Sequence, residues 1–136
     1  MAIFAGTTTS LVVPASYLVR LQGVLAKELY ARDYYKKAVA GTGIRRFQNL
    51  ARAEQNHANG IAAAIVYLGG KPVLKHNSKI KVPANWTAAD AECQAIEKTV
   101  IVLYKGLIKD CPDPELLPLF KKIQASNHRH LRAVGG

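Results

Sequence analysis

The stretch Phe47-Gln-Asn-Leu-Ala-Arg-Ala-Glu-Gln-Asn-His57 decides which fold this sequence predicts. Its inward residues recur every three or four positions, and the same spacing continues to Leu68. Because residues three and four apart lie on one side of an α-helix, the spacing predicts a helix over residues 44–68 with one inward face. Glu54 and His57 fall on that face, at positions that the pattern otherwise gives to apolar side chains. This helix therefore carries a Glu-x-x-His pair into the interior of a helical domain.

Three further stretches show the helical period, and none shows the sustained alternation that is typical of a half-buried strand. We expect Thr87 to cap the third helix, with Asp90 completing a capping box. The sequence predicts an all-α protein, a four-helix bundle formed by two helical hairpins. The four predicted helices cover residues 14–40, 44–68, 87–109 and 116–134.

Residues 71–86 connect the two predicted hairpins and show no helical stripe, with two prolines and four lysines. A connection of 16 residues can span roughly 50 Å, more than the length of a helix of about 25 residues. It can therefore cross the bundle from one end to the other. We expect one domain over residues 1–136, with residues 1–13 as an N-terminal arm and residues 71–86 as a crossover loop.

The two predicted hairpins repeat one pattern of marked residues. The first helix of each has Glu and Tyr seven residues apart, and the second helix of the first hairpin has Phe, then Glu seven and His ten residues later. The last helix keeps these positions but has Asn instead of the Glu. Such agreement predicts an internal duplication. The matched pairs are Glu28 and Glu97, Tyr35 and Tyr104, Phe47 and Phe120, Glu54 and Asn127, and His57 and His130.

The inward positions hold acidic and imidazole side chains that need an explanation. The chain is basic and has only five glutamates, yet three of them fall on the inward stripes. A buried carboxylate is costly unless it is paired, neutralised or bound to a metal, and no Lys or Arg on the stripes is placed to neutralise these three. Carboxylate together with imidazole suits iron, manganese or zinc. The candidate ligands are Glu28, Glu54, His57, Glu97 and His130.

This set resembles the ligands of the ferritin-like superfamily, in which two helices each give a Glu and the other two each give Glu-x-x-His around two metal ions. The resemblance covers about residues 18–134. It is strongest over residues 25–35 and 47–57, which look like the first hairpin of rubrerythrins and bacterioferritins. The family therefore implies a buried di-iron carboxylate centre.

The resemblance also implies a role for each residue. Glu28 and Glu97 would be terminal ligands, and Glu54 would bridge two ions. His57 and His130 would be the nitrogen ligands. Two tyrosines on the stripes would lie near the site or belong to the core, and these are Tyr35 and Tyr104.

Asn127 departs from the family pattern, because it stands where the second bridging glutamate belongs. A neutral amide is a poor ligand beside a carboxylate, so three carboxylates bring a charge of −3 where the family's four bring −4. Three alternatives remain open at this point. The centre could hold two metal ions, it could hold one ion or a weakly bound one, or it could be an empty polar core closed by hydrogen bonds.

The leading functional hypothesis follows from the resemblance. It is a metal-binding protein, with iron as one or two ions and manganese or zinc as alternatives, that oxidises Fe(II) or reduces O₂ or peroxide. The alternative is a non-enzymatic basic bundle with a relic site that acts as a structural or anion-binding protein. A large iron-storage cage is not expected, because the chain has few acidic residues to line a mineral surface.

Composition limits the partners. The longest apolar run has eight residues, well short of the roughly 20 that a membrane helix needs. The net charge of +10 favours anionic partners such as nucleic acid, although no nucleic-acid motif is present. We expect a homo-oligomer, a dimer or larger. Two cysteines form no disulfide framework and the N-terminus has no signal-peptide pattern, so we predict a cytoplasmic location.

Overall fold

The computed structural model describes residues 12–136, so most of the N-terminal arm, residues 1–11, lies outside the described part. The described chain forms four α-helices, and the all-α four-helix bundle predicted from the sequence is confirmed. Helices α1 and α2 form the first hairpin, and α3 and α4 form the second. The helices are α1 Ala15–Thr42, α2 Arg46–Tyr67, α3 Trp86–Lys109 and α4 Leu117–Ala133, with a 3-10 turn at Pro114–Leu116.

The core consists of two apolar clusters separated by a polar layer. One cluster includes Leu25, Ile61 and Phe120, and the other includes Tyr34 and Phe47. On α2, α3 and α4, the buried glutamate, asparagine and histidine side chains fall between the two clusters. The polar residues are therefore enclosed above and below by apolar packing, which keeps water away from them.

The bounds of α1 lie within two residues of the predicted ones, whereas the residue that caps α3 differs from the expected one. Gly43 ends α1 in the left-handed conformation, φ 69°, and its backbone N–H donates to Val39 O. Asn85, rather than the expected Thr87, caps α3, because its side chain accepts from the N–H of Thr87 at 2.8 Å. Asp90 forms an ion pair with Arg46 of α2 instead of completing a capping box. Trp86, expected in the crossover loop, is the first residue of α3.

The connection between the hairpins lies against the outside of α1. Gln22, near the start of α1, donates to Lys71 O at 2.6 Å. Further along α1, the Asp33 carboxylate accepts from Asn77 N at 2.7 Å. The connection therefore runs in the direction of α1 and starts α3 at the far end of the bundle. As a result α3 is antiparallel to α1. No helix of the described chain is long and apolar enough to cross a membrane.

Candidate metal centre

Two groups of acidic and imidazole side chains converge in the polar layer. Glu28, Glu54 and His57 form the first group. Glu54 is also a member of the second group, with Glu97 and His130. Within each group, one ligand atom from every residue lies within 4.8 Å of the others. All five residues predicted as ligands are thus brought together, and one glutamate is common to both groups.

The two oxygens of Glu54 face different histidines. Oε1 lies 2.9 Å from Nδ1 of His130, and Oε2 lies 3.4 Å from Nδ1 of His57. His57 Nδ1 is also 3.2 Å from Glu28 Oε2, and His130 Nδ1 is 3.5 Å from Glu97 Oε1. The two imidazole rings are stacked with their centroids 5.5 Å apart. Both histidines therefore present the same nitrogen, Nδ1, to the carboxylates.

The two stripe tyrosines hold the outer glutamates, and each does so across the bundle. Tyr104 of α3 donates its hydroxyl hydrogen to Glu28 Oε2 at 3.0 Å. Tyr35 of α1 donates in the same way to Glu97 Oε2. Both tyrosines are completely buried. Each hydrogen bond fixes one oxygen of a glutamate from the opposite hairpin, so the duplicated pattern of the sequence becomes a pseudo-twofold arrangement in space.

Several buried atoms in the polar layer have no hydrogen-bond partner within the described part of the chain, residues 12–136. They include Oε1 of both outer glutamates, Glu28 and Glu97, and Nδ1 of His57. Each unpaired buried polar atom costs free energy, and native proteins contain few of them. A bound cation would satisfy these lone pairs together. A donor set of carboxylate oxygens and imidazole nitrogens fits iron, manganese or zinc.

Without a metal, the electrostatics of the centre depend on the two histidines. Burial would lower the pKa of both, but the close approach of the flanking carboxylates outweighs it and raises the pKa of His57 to about 10 and that of His130 to about 9. Burial also opposes ionisation of Glu54, yet contacts from both imidazoles lower its pKa to about 2. Burial raises the pKa of the outer carboxyls, Glu28 and Glu97. These directions favour the protonated form of both histidines at neutral pH when no metal is bound.

No family model matches the chain, and no curated protein matches it. A solved structure does match, that of a dodecameric thioferritin, the bacterioferritin-related protein from Bacteroides fragilis. The two chains are 21% identical, and the match has a TM-score of 0.78 over 88% of this chain and 82% of that chain. The fold is ferritin-like. The resemblance stated from the residues is confirmed at this level.

Asn127 marks where this ferritin-like bundle departs from its own symmetry. Its side chain is completely buried on α4, and neither its amide oxygen nor its amide nitrogen has a hydrogen-bond partner. It stands in the second hairpin at the position that Glu54 has in the first. Among residues 12–136, the polar layer therefore holds three carboxylates and one neutral amide, and Glu54 is the one residue that belongs to both groups.

Ser126 contacts both histidines of the polar layer and was not among the predicted site residues. Its Oγ lies 3.1 Å from Nε2 of His57 and 3.2 Å from Nε2 of His130. Ser126 lies off the apolar stripe, so the pattern of inward residues does not include it. Its place four residues before His130 was the available signal, because residues four apart are neighbours on a helix.

Proposed function

We propose that this protein binds iron at the buried carboxylate and histidine centre and oxidises Fe(II), with O₂ or peroxide as the electron acceptor. One observation carries the proposal. Glu54 directs its two oxygens to two different histidines, and in each group one oxygen of the outer glutamate makes no hydrogen bond within residues 12–136. A carboxylate in that position is suited to bridge two ions.

Each residue has a distinct part in this proposal. Glu28 and His57 would hold one ion, Glu97 and His130 would hold the other, and Glu54 would contact both. Tyr104 and Tyr35 would keep the outer glutamates oriented, since each donates a hydrogen bond to one oxygen, Oε2, of its glutamate. Metal uptake would displace the protons that the two histidines hold in the metal-free protein.

The charge of the ligand set favours one ion over a second. Three ionised carboxylates carry −3, whereas two divalent cations carry +4, and Asn127 adds no charge. The first ion therefore enters a centre with surplus negative charge, and the second enters one that is already close to neutral. We expect two binding steps of unequal affinity, the second weaker.

Iron would supply the electron transfer, since it alternates between Fe(II) and Fe(III). The protein would contribute carboxylates that stabilise the higher charge and an apolar enclosure that keeps water out. Leu25, Ile61 and Phe120 on one side and Phe47 on the other are all completely buried. Low polarity strengthens electrostatic interactions, so the three carboxylates act more strongly here than at a surface.

The test is an anaerobic Fe(II) titration of the purified chain, followed by oxygen addition and metal analysis. Wild type should take up as many as two irons per chain and oxidise them. Glu54→Ala removes the shared ligand and should abolish uptake. Glu92→Ala is the matched control, because Glu92 is exposed on α3 and belongs to neither ligand group. Iron uptake by Glu54→Ala at the wild-type level would contradict the ligand assignment.

A relic centre without turnover is the second candidate, and a specific contact favours it. His130 and Glu54 already form a 2.9 Å hydrogen bond, so the polar layer partly satisfies itself without a metal. In this case the basic surface would carry the function, as a structural or polyanion-binding protein. Adding Fe(II) to the metal-free protein should then leave its melting temperature unchanged. Any binding of DNA should also weaken steeply as salt rises.

Homo-oligomer formation is also part of the proposal. The Bacteroides fragilis protein is dodecameric. This chain exposes apolar side chains on the outer faces of three helices, Val19, Val66 and Val102. Contact between copies would cover such residues. Light scattering during size-exclusion chromatography should give a mass several times the 14.8 kDa of one chain.

A further inference from the structure

We propose that Ser126 is a positioning residue that sets the tautomer of both histidines and turns both Nδ1 atoms toward the metal. This inference rests on the proposed function, because it assigns a role toward the same centre. Its first support is geometric. A single hydroxyl oxygen lies within hydrogen-bond distance of two imidazole nitrogens, one on α2 and one on α4.

The nitrogens concerned are equivalent on the two rings. Ser126 contacts Nε2 of His57 and of His130, while Nδ1 of each ring faces the carboxylates. The rings are nearly parallel, with an angle of 18° between their planes. One hydroxyl can therefore meet both rings at the same edge, on the side away from the carboxylates.

Hydrogen counting then selects a tautomer. A nitrogen that binds a metal uses its lone pair and carries no hydrogen, so a neutral imidazole bound through Nδ1 must carry its hydrogen on Nε2. A hydroxyl oxygen has two lone pairs and can accept from both Nε2–H groups. In the opposite tautomer both Nε2 atoms would be acceptors, and the single hydroxyl hydrogen could serve only one of them. Ser126 therefore satisfies both rings when each Nε2 carries its hydrogen, and this arrangement leaves both Nδ1 atoms free of hydrogen for a metal. A mixed pair, with one Nε2 donating to the hydroxyl and the other accepting from it, would leave a hydrogen on one Nδ1 and block that ligand.

The internal duplication supports a shared role. The position matching Ser126 in the first hairpin is Ala53, which immediately precedes Glu54 as Ser126 precedes Asn127. Alanine has no group that could contact an imidazole. His57 therefore has no such partner on its own helix, and its Nε2 is met by the serine of α4. One hydroxyl orients both ligands, so losing it should affect both ion positions together.

The test compares Ser126→Ala with Ser126→Thr, using Zn(II) as a diamagnetic probe. Partners that orient metal-binding histidines typically contribute about 10–100-fold to metal affinity, so Ser126→Ala should raise the Kd for Zn(II) by that factor. Ser126→Thr keeps a hydroxyl and should retain wild-type affinity. Ser16→Ala removes an exposed serine of α1 and is the matched control. Melting of each metal-free variant checks that it is folded.

A second readout follows the tautomer directly. In Zn(II)-loaded protein labelled with ¹⁵N-histidine, wild type should show slowly exchanging Nε2–H signals for both rings, and Ser126→Ala should lose that protection. Equal Kd values and two protected Nε2–H signals in Ser126→Ala would overturn the role of Ser126 while leaving the metal centre intact. Failure of wild type to bind either Zn(II) or Fe(II) would overturn the proposed function, and this inference with it.

Discussion

The two hairpins share one geometry but differ in charge. In the first hairpin, Glu28, Glu54 and His57 form a complete ligand group within α1 and α2. The corresponding group in the second hairpin includes Glu54 of the first hairpin, because Asn127 and not a glutamate stands at the matching position of α4. The comparison shows that two hairpins can direct side chains to the same place although one has an amide where the other has a carboxylate. In the proposed function, bridging then depends on Glu54 alone.

The strongest test of this difference between the hairpins exchanges the residues at the matched positions, Glu54 and Asn127. Glu54→Asn alone should eliminate metal binding, since no carboxylate would remain between the two outer glutamates. The double variant Glu54→Asn with Asn127→Glu moves the carboxylate to the other hairpin and should recover binding if the pseudo-twofold arrangement holds. Metal content after dialysis against Fe(II) or Zn(II) measures both. No recovery in the double variant would mean that the two positions are not equivalent.

Asn127→Glu alone would give both hairpins a glutamate at the matched position and remove the difference in charge between them. With a fourth carboxylate, the second binding step should become stronger and approach the first. Without metal, like charges at close range raise one another's pKa and the protein should lose about 1–2 kcal/mol, which lowers its Tm by about 5 °C. Added Fe(II) or Mn(II) should restore the Tm, because a ligand that binds only the folded state stabilises it. A Tm that ignores metal in wild type and variant alike would rule out the metal centre.

The pH dependence of stability should differ between the metal-free and metal-bound proteins. Contacts with carboxylates, working against burial, raise the pKa of His57 from 6.5 to about 10 and that of His130 from 6.5 to about 9. A group whose pKa is higher in the folded protein stabilises it below the unfolded pKa, and this contribution is lost as pH rises through the folded value. The Tm of the metal-free protein should therefore fall between about pH 6.5 and 10.

In the metal-bound protein, Nδ1 of both histidines would bind the metal and could not take up a proton. The decline of the Tm between about pH 6.5 and 10 should therefore be absent. Thermal melts in chelator and in Zn(II), across the same buffers, make the comparison. A parallel decline in both series would indicate that His57 and His130 do not bind the metal.

The smallest expected effects come from the two tyrosines, and they should be nearly equal. Tyr35→Phe and Tyr104→Phe each remove one hydrogen bond to an outer glutamate, which costs about 1–2 kcal/mol. Tyr34→Phe is the control, because its buried hydroxyl has no partner to lose. Chemical denaturation of the metal-free protein measures the three variants. A large difference between Tyr35→Phe and Tyr104→Phe would show that the hairpins differ beyond Asn127.

The four helices and most residues of the candidate metal centre could be predicted from the spacing of inward residues in the sequence. The three- and four-residue spacing located all four helices, and the repeated Glu and Tyr positions indicated a shared centre. That spacing records which side of a helix faces inward. It does not record how one helix is rotated against another. The position of Ser126 between His57 and His130 depends on that rotation, so only the structure shows it.

Contacts between helices also explain the error at α3. Asp90 fits a capping box by sequence, but in the folded chain it lies beside Arg46 of another helix. An ion pair with a partner across the bundle replaces the local contact, and Asn85, two residues before Thr87, provides the cap. A sequence pattern predicts contacts within one helix. A charged residue at a helix end can instead pair with a residue of another helix, as Asp90 does with Arg46.

The connection held against α1 has a consequence for how the protein behaves at low abundance. The second group combines Glu54 of the first hairpin with Glu97 and His130 of the second, so two unlinked hairpins would have to meet before that group could form. A linker of this kind holds two partners at an effective concentration on the order of millimolar. Because Gln22 and Asp33 also fix its path, the second hairpin is delivered to the correct end of the first. A cell that makes few copies of this chain would therefore have the same fraction of assembled centres as one that makes many.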